Sequence, residues 1–123
     1  MSNGNQARNL DILCAETGRA LARIDKMEEH ILNAALAVLE EQGPYAMLLY
    51  LKARHKEISG EIEGAIRNQL LKRIFPDKSD VLTMVKDLAQ NLDDLLFARD
   101  LMRNTLAYAR YYYKAKQNKE GAS

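Results

Sequence analysis

Arg99, Arg103, Arg110 and Lys114 are the residues whose type and spacing most clearly suggest a chemistry. On an ideal helix the last three lie about 40°, 20° and 60° round from Arg99, so four cations share one narrow strip. Cations in such a row suit phosphate oxygens, which carry charge but no sequence information. Two further basic clusters close predicted helices: Lys52, Arg54 and Lys56, and then Arg67, Lys72 and Arg73. Solvated helix faces and dipole compensation account for cations near a helix C-terminus, such as Lys114 and Lys116. They do not account for Arg99 and Arg103, several turns earlier. Arg19 and Arg23 stand apart from these clusters, and charge reversal there is expected to do little.

Residues that could run catalysis are sparse. His30, His55 and Cys14 are the only histidines and cysteine, and their spacing clusters none with another. A zinc site needs about four close ligands. Gly60 and Gly64 flank glutamates and make no phosphate loop. The acid pairs Glu28-Glu29, Glu40-Glu41 and Asp93-Asp94 are adjacent, and adjacent helical residues point about 100° apart. A two-metal nucleotide hydrolase needs denser carboxylates on facing helices. No catalytic residue, no metal and no cofactor is therefore expected. His30 is expected to be a partly exposed helix residue. Of the tyrosines, Tyr108, Tyr112 and Tyr113 fall in the apolar sector of the last helix, and Tyr111 points away from it.

The elements that carry these residues are helices. Ala, Leu, Glu, Lys, Arg and Met dominate, and no segment alternates apolar and polar over a strand's length. A first helical stretch is expected from Gln6 to Glu41, with a break or kink at Gly18, since glycine costs about 1 kcal/mol against alanine within a helix. Its stripe is Ile24, Met27, Ile31, Ala34, Ala35, Val38 and Leu39. Gly43-Pro44 ends it and opens a helix to Lys56. Ser59 is expected to cap a helix over Gly60 to Ile74, and Ser79 one over Asp80 to Ala89. A bend near Gln90-Asn91 precedes a long last helix reaching Lys116. The 123 residues thus read as one all-α domain, a compact bundle of five to six helices, with 1–5 and 118–123 frayed.

The charges nearly cancel, with 18 Lys and Arg against 17 Asp and Glu, so any field is local. The polar N-terminus lacks a signal-like apolar run, and no run approaches the ~20 apolar residues that span a bilayer. One unpaired cysteine suits a reducing compartment. A cytoplasmic protein without membrane contact is expected.

Two segments resemble a known family. EEQGPYAMLLYLKAR (Glu40 to Arg54) and LMRNTLAYARYYYKAK (Leu101 to Lys116) are similar to the small α-helical subunit of Cmr-type, type III CRISPR effector complexes. Thr105, Leu106, Tyr108 and Lys114 sit where that family's last helix has similar residues. The family's tryptophan near the end of that helix is absent, and the Csm-type small subunit is the neighbouring possibility. The resemblance implies a non-catalytic subunit whose copies stack along an RNA-guided complex and line the groove for the crRNA and target RNA. Its partners would be other effector subunits, both RNAs and further copies of itself. The competing expectation is a helical oligomerisation or adaptor protein that binds protein alone.

Overall fold

The computed structural model describes the backbone of residues 2–71, 86 and 91–122. It is an all-α bundle: α1 (Ser2–Ala22), α2 (Glu29–Gln42), α3 (Pro44–Arg54), α4 (Lys56–Ala65) and α5 (Leu92–Ala122). A π-helical turn, Ile66–Leu71, continues α4. No strand occurs among the described residues. The expected helix over Asp80 to Ala89 lies outside them apart from the helical Lys86, as do Lys72 and Arg73.

The first helical stretch divides, but not at Gly18. α1 runs through that glycine, and the chain turns over residues 23–28, where Lys26 takes a left-handed φ of 70°. Met27 is buried and Ile24 half-buried in this turn, so the apolar stripe passes from loop to α2 without sharing one helix. Gly18 has a different task. A Cβ there would lie 2.7 Å from the Thr105 carbonyl oxygen, 2.8 Å from the Ala109 nitrogen and 2.8 Å from Tyr108 Cβ. The missing side chain lets the α1 and α5 backbones approach closely.

The seam follows helical spacing. α1 buries Cys14, Thr17, Gly18, Leu21 and Ala22, and α5 buries Ala98, Leu101, Met102, Thr105, Leu106 and Ala109. Most of these are small, which suits a close crossing. The buried hydroxyls of Thr17 and Thr105 donate to the carbonyls of Leu13 and Leu101, each at 2.8 Å, so neither is left unsatisfied. Cys14 donates its thiol towards Leu101 O at 3.5 Å. Residues low in α1 meet residues low in α5, so these two helices run parallel. α2 runs antiparallel to α5, because Glu29 meets Lys114 and Glu40 meets Arg103.

Gly43, at φ 97°, and Pro44 form the α2–α3 boundary as expected, with Gly43 N–H closing onto Leu39 O at 3.0 Å. Leu39, Met47, Leu48 and Leu51 are fully buried around it. α4 begins earlier than expected. His55 is the junction, and Ser59 is a buried residue inside α4 that donates to Lys56 O at 3.3 Å, not a cap. Ile62, Ile66, Leu70 and Leu71 are buried in succession. An α-helical path would rotate this row off the core, and the wider π turn keeps Leu70 and Leu71 inside. α5 starts at the expected bend, where Asn91 Oδ1 accepts the Asp94 N–H at 3.1 Å. It stays helical to Ala122, past the expected end at Lys116.

Candidate nucleic-acid interface

The strip on α5 exists but is not uniformly free. Arg99, Arg103 and Arg110 are half-buried and Lys114 is exposed. Arg103 is bound on two sides: its Nε donates to Glu40 Oε1, and a terminal nitrogen donates to Asp100 Oδ1 at 2.8 Å. Its guanidinium is held above its usual pKa, first by the Glu40 hydrogen bond. Lys114 Nζ lies 3.3 Å from Glu29 Oε1. Partners on each helix are eleven residues apart, about three turns, so α2 carries an acid opposite each of these two cations. Arg99 and Arg110 have no carboxylate partner among the described residues, and the Nε of each is buried without a hydrogen bond. Half of the strip is therefore an intramolecular seam, and Arg99 and Arg110 make no ion pair with a described residue.

The other expected clusters are not gathered with it. Lys52 pairs with Glu63 of α4 at 3.6 Å. Arg67 lies half-buried in the π turn. Arg54 lines a cleft of about 560 Å³ at the α3–α4 junction, together with Lys26, Lys56, Glu28 and Glu57. Charges there largely cancel, with Lys26 and Glu57 3.7 Å apart. The two histidines, separate in sequence, meet in this cleft with ring centroids 5.9 Å apart, and His30 Nδ1 is 3.0 Å from Glu28. Among the described residues no three His, Cys, Asp or Glu side chains converge as a metal site.

A second cleft of about 560 Å³ has a different character. It lies between the end of α1 and the later turns of α5, lined by Arg19, Arg23 and Lys116 with Ala22, Tyr112 and Ala115. Three cations face one space, and no carboxylate of a described residue lines it. All three are exposed, and none pairs with a carboxylate of a described residue. Arg19 and Arg23 also sit where the carbonyl end of α1 attracts cations. Lys116 does not, because α5 continues to Ala122. Arg19 and Arg23, expected to be bystanders, are thus the cations that the parallel packing of α1 on α5 brings to a shared space. The visible trace in the sequence is their four-residue spacing, which falls across the end of α1.

The tyrosines divide too. Tyr111 is 73 % exposed, as expected. Tyr108 and Tyr113 pack against the core at half burial. Tyr112 departs from its expected place in the apolar sector: it is 39 % exposed and forms one wall of the α1–α5 cleft. The Tyr108 hydroxyl donates to Asp11 Oδ1 at 2.8 Å, which raises its pKa above the usual value.

Comparison with family models, curated proteins and solved structures finds no match. The likeness to the Cmr-type small subunit accordingly rests on Glu40 to Arg54 and Leu101 to Lys116 alone. Among the described residues, no helix is long and apolar enough to cross a membrane.

Proposed function

We propose that this chain is a non-catalytic helical subunit that holds RNA by its phosphates, in the manner the resemblance implies for a small subunit of a type III CRISPR effector complex. The observation that supports this best is the α1–α5 cleft, where Arg19, Arg23 and Lys116 face one space and no carboxylate of a described residue joins them. Cations without an internal partner are the ones that release counterions when a phosphate arrives, and this release drives sequence-neutral binding. Arg99 and Arg110 offer a separate basic surface, about 100–120° round from Lys116 on α5. Arg103 and Lys114 serve mainly to fix α2 against it.

Three or so neutralised phosphates give modest affinity to one subunit, and copies aligned along an RNA multiply it. The test is fluorescence anisotropy with labelled RNA over a range of salt, using the doubly exchanged Arg19→Glu/Arg23→Glu protein. Binding should weaken at least tenfold, similarly for unrelated sequences. The log–log salt slope should flatten by roughly 0.7 for each single-strand phosphate that is no longer neutralised. An exchanged protein that keeps its helical circular dichroism, its affinity and its slope would refute the cleft as the binding surface. A parent protein that binds no RNA even at low salt would favour the adaptor reading, in which the partners are proteins alone.

A further inference from the structure

The same cleft carries an aromatic wall, and that bears on which form of RNA it takes. Tyr112 and Lys116 are four residues apart on α5, so ring and ammonium share one helix face. Arg19 lies in the last turn of α1 and Arg23 just past its end, where its N–H donates to Arg19 O at 3.1 Å. The two pairs line one space in which Ala22 and Ala115 are the other described residues. The alanines leave room, and the volume of about 560 Å³ falls within the range of ligand-sized sites. Tyr112 is 39 % exposed although its neighbours Tyr108 and Tyr113 pack against the core.

We infer that the α1–α5 cleft is a subsite for one nucleotide of an unpaired RNA strand, its phosphate held by Arg19, Arg23 and Lys116 and its base stacked on the Tyr112 ring. This rests on the phosphate-binding reading above and adds the strand state of the ligand. A positively charged groove with an aromatic platform is the physical recipe for single strands, because every base offers a π face whatever its identity. A duplex offers the same phosphates, but its bases are paired and stacked on one another. It would occupy the cations and leave the ring uncovered. Single strand should therefore be preferred over duplex, with little preference for sequence.

The experiment uses the full chain and three probes at one salt concentration: a labelled single-stranded RNA, the same RNA in a duplex, and a mononucleotide as competitor. The single strand should bind more tightly than the duplex, and the mononucleotide should compete poorly. Because the chain has no Trp, emission comes from its six tyrosines; the single strand should quench it, and the part of the quenching lost in Tyr112→Leu reports stacking on this ring. Tyr112→Ala should weaken single-strand binding about five- to hundredfold, the range for loss of one stacked base. Tyr112→Phe should keep the affinity. Tyr112→Leu retains apolar packing against the bundle, should fold as the parent does, and should still lose binding. The duplex affinity and the salt slope should not change in any Tyr112 variant. If Tyr112→Ala and Tyr112→Leu bind like the parent while Arg19→Glu/Arg23→Glu does not, the stacking inference is overturned and phosphate binding stands. If the arginine exchange also leaves binding intact, both fall. A mononucleotide that binds as tightly as the strand would overturn the strand as ligand.

Discussion

Gly18→Ala separates two physical effects of opposite sign. Inside a helix the change from glycine to alanine should stabilise by about 1 kcal/mol, because alanine loses less backbone freedom on folding. At Gly18 the new methyl would sit 2.7 Å from Thr105 O and 2.8 Å from Ala109 N, both backbone atoms of α5 that no side-chain rotation can move. Ordinary contacts need about 3.5 Å, so α5 must retreat by roughly 0.7 Å at this point. A gap of that size forfeits between a quarter and a half of the dispersion energy along the seam on either side. Overpacking of this kind costs about 1–3 kcal/mol. The upper end applies, because the seam holds Cys14, Thr17 and Leu21 on one helix and Leu101, Met102 and Leu106 on the other, all buried.

The net expectation is a loss of about 2 kcal/mol. For a chain of this length that is a fall of roughly 8 °C in Tm, taking about 4 °C per kcal/mol. Urea unfolding followed by far-UV circular dichroism measures it. Gly60→Ala is the control, since nothing lies within 4 Å of a Cβ there. That variant should gain about 0.5–1 kcal/mol. Cys14 gives an independent readout in the same seam. It is 1 % exposed, and burial pushes its thiol pKa up, so it should resist a thiol reagent in the parent and react faster in Gly18→Ala. A Gly18→Ala protein as stable as the parent, with an equally protected thiol, would refute the close approach of α1 and α5.

Two further outcomes follow from the ion pairs and the Tyr108 hydrogen bond. Arg103→Glu removes two partly exposed pairs and puts a new carboxylate beside Glu40 and Asp100, so it should cost about 1 kcal/mol in urea unfolding, less at high salt; an added Glu40→Arg should recover part of the loss, and an unchanged midpoint would show the pairs to be energetically idle. Tyr108, whose proton is held by Asp11, should ionise above the ordinary tyrosine value in a titration followed by NMR, and Asp11→Ala should lower its pKa. Because its folded pKa is raised, the stabilisation is complete below about pH 10 and is lost as pH climbs through the folded value.

Much of the fold was legible because local chemistry and tertiary packing agree. Gly43-Pro44 is punctuation that any neighbour must respect, and it marks a real boundary; at Asn91 nothing forbids a continuous helix, and α5 starts there with the Asn91 side chain accepting the Asp94 N–H. The apolar sector of α5 was readable from spacing, with Leu101, Met102, Leu106 and Ala109 buried. Where reading failed, one residue type serves two purposes. Gly18 costs a helix when considered alone, yet here it is the condition for a helix–helix seam. Ser59 is a good cap in general, but a small hydroxyl satisfied by the Lys56 carbonyl also fits a buried helix position. The true break over 23–28 has no glycine or proline to announce it, and the buried Leu32 lay outside the expected stripe.

The candidate site shows a different limit. A strip of cations on one helix says where positive charge is, not whether another helix cancels it. α2 runs antiparallel to α5 and repeats its acids at the spacing of two of the strip's cations, so Glu29 and Glu40 neutralise Lys114 and Arg103. α1 runs parallel to α5 and brings two arginines to its later turns, so Lys116 gains Arg19 and Arg23 as neighbours and, among the described residues, no carboxylate. Helix direction and register, which no charge count contains, thus decide which cations stay available. A chain of net charge +1 can in this way hold a cleft lined, among the described residues, by three cations and no acid, because its carboxylates are placed elsewhere, Glu29 and Glu40 among them on α2. Net charge then predicts weak long-range steering, while the local field at the α1–α5 cleft sets where an anion settles.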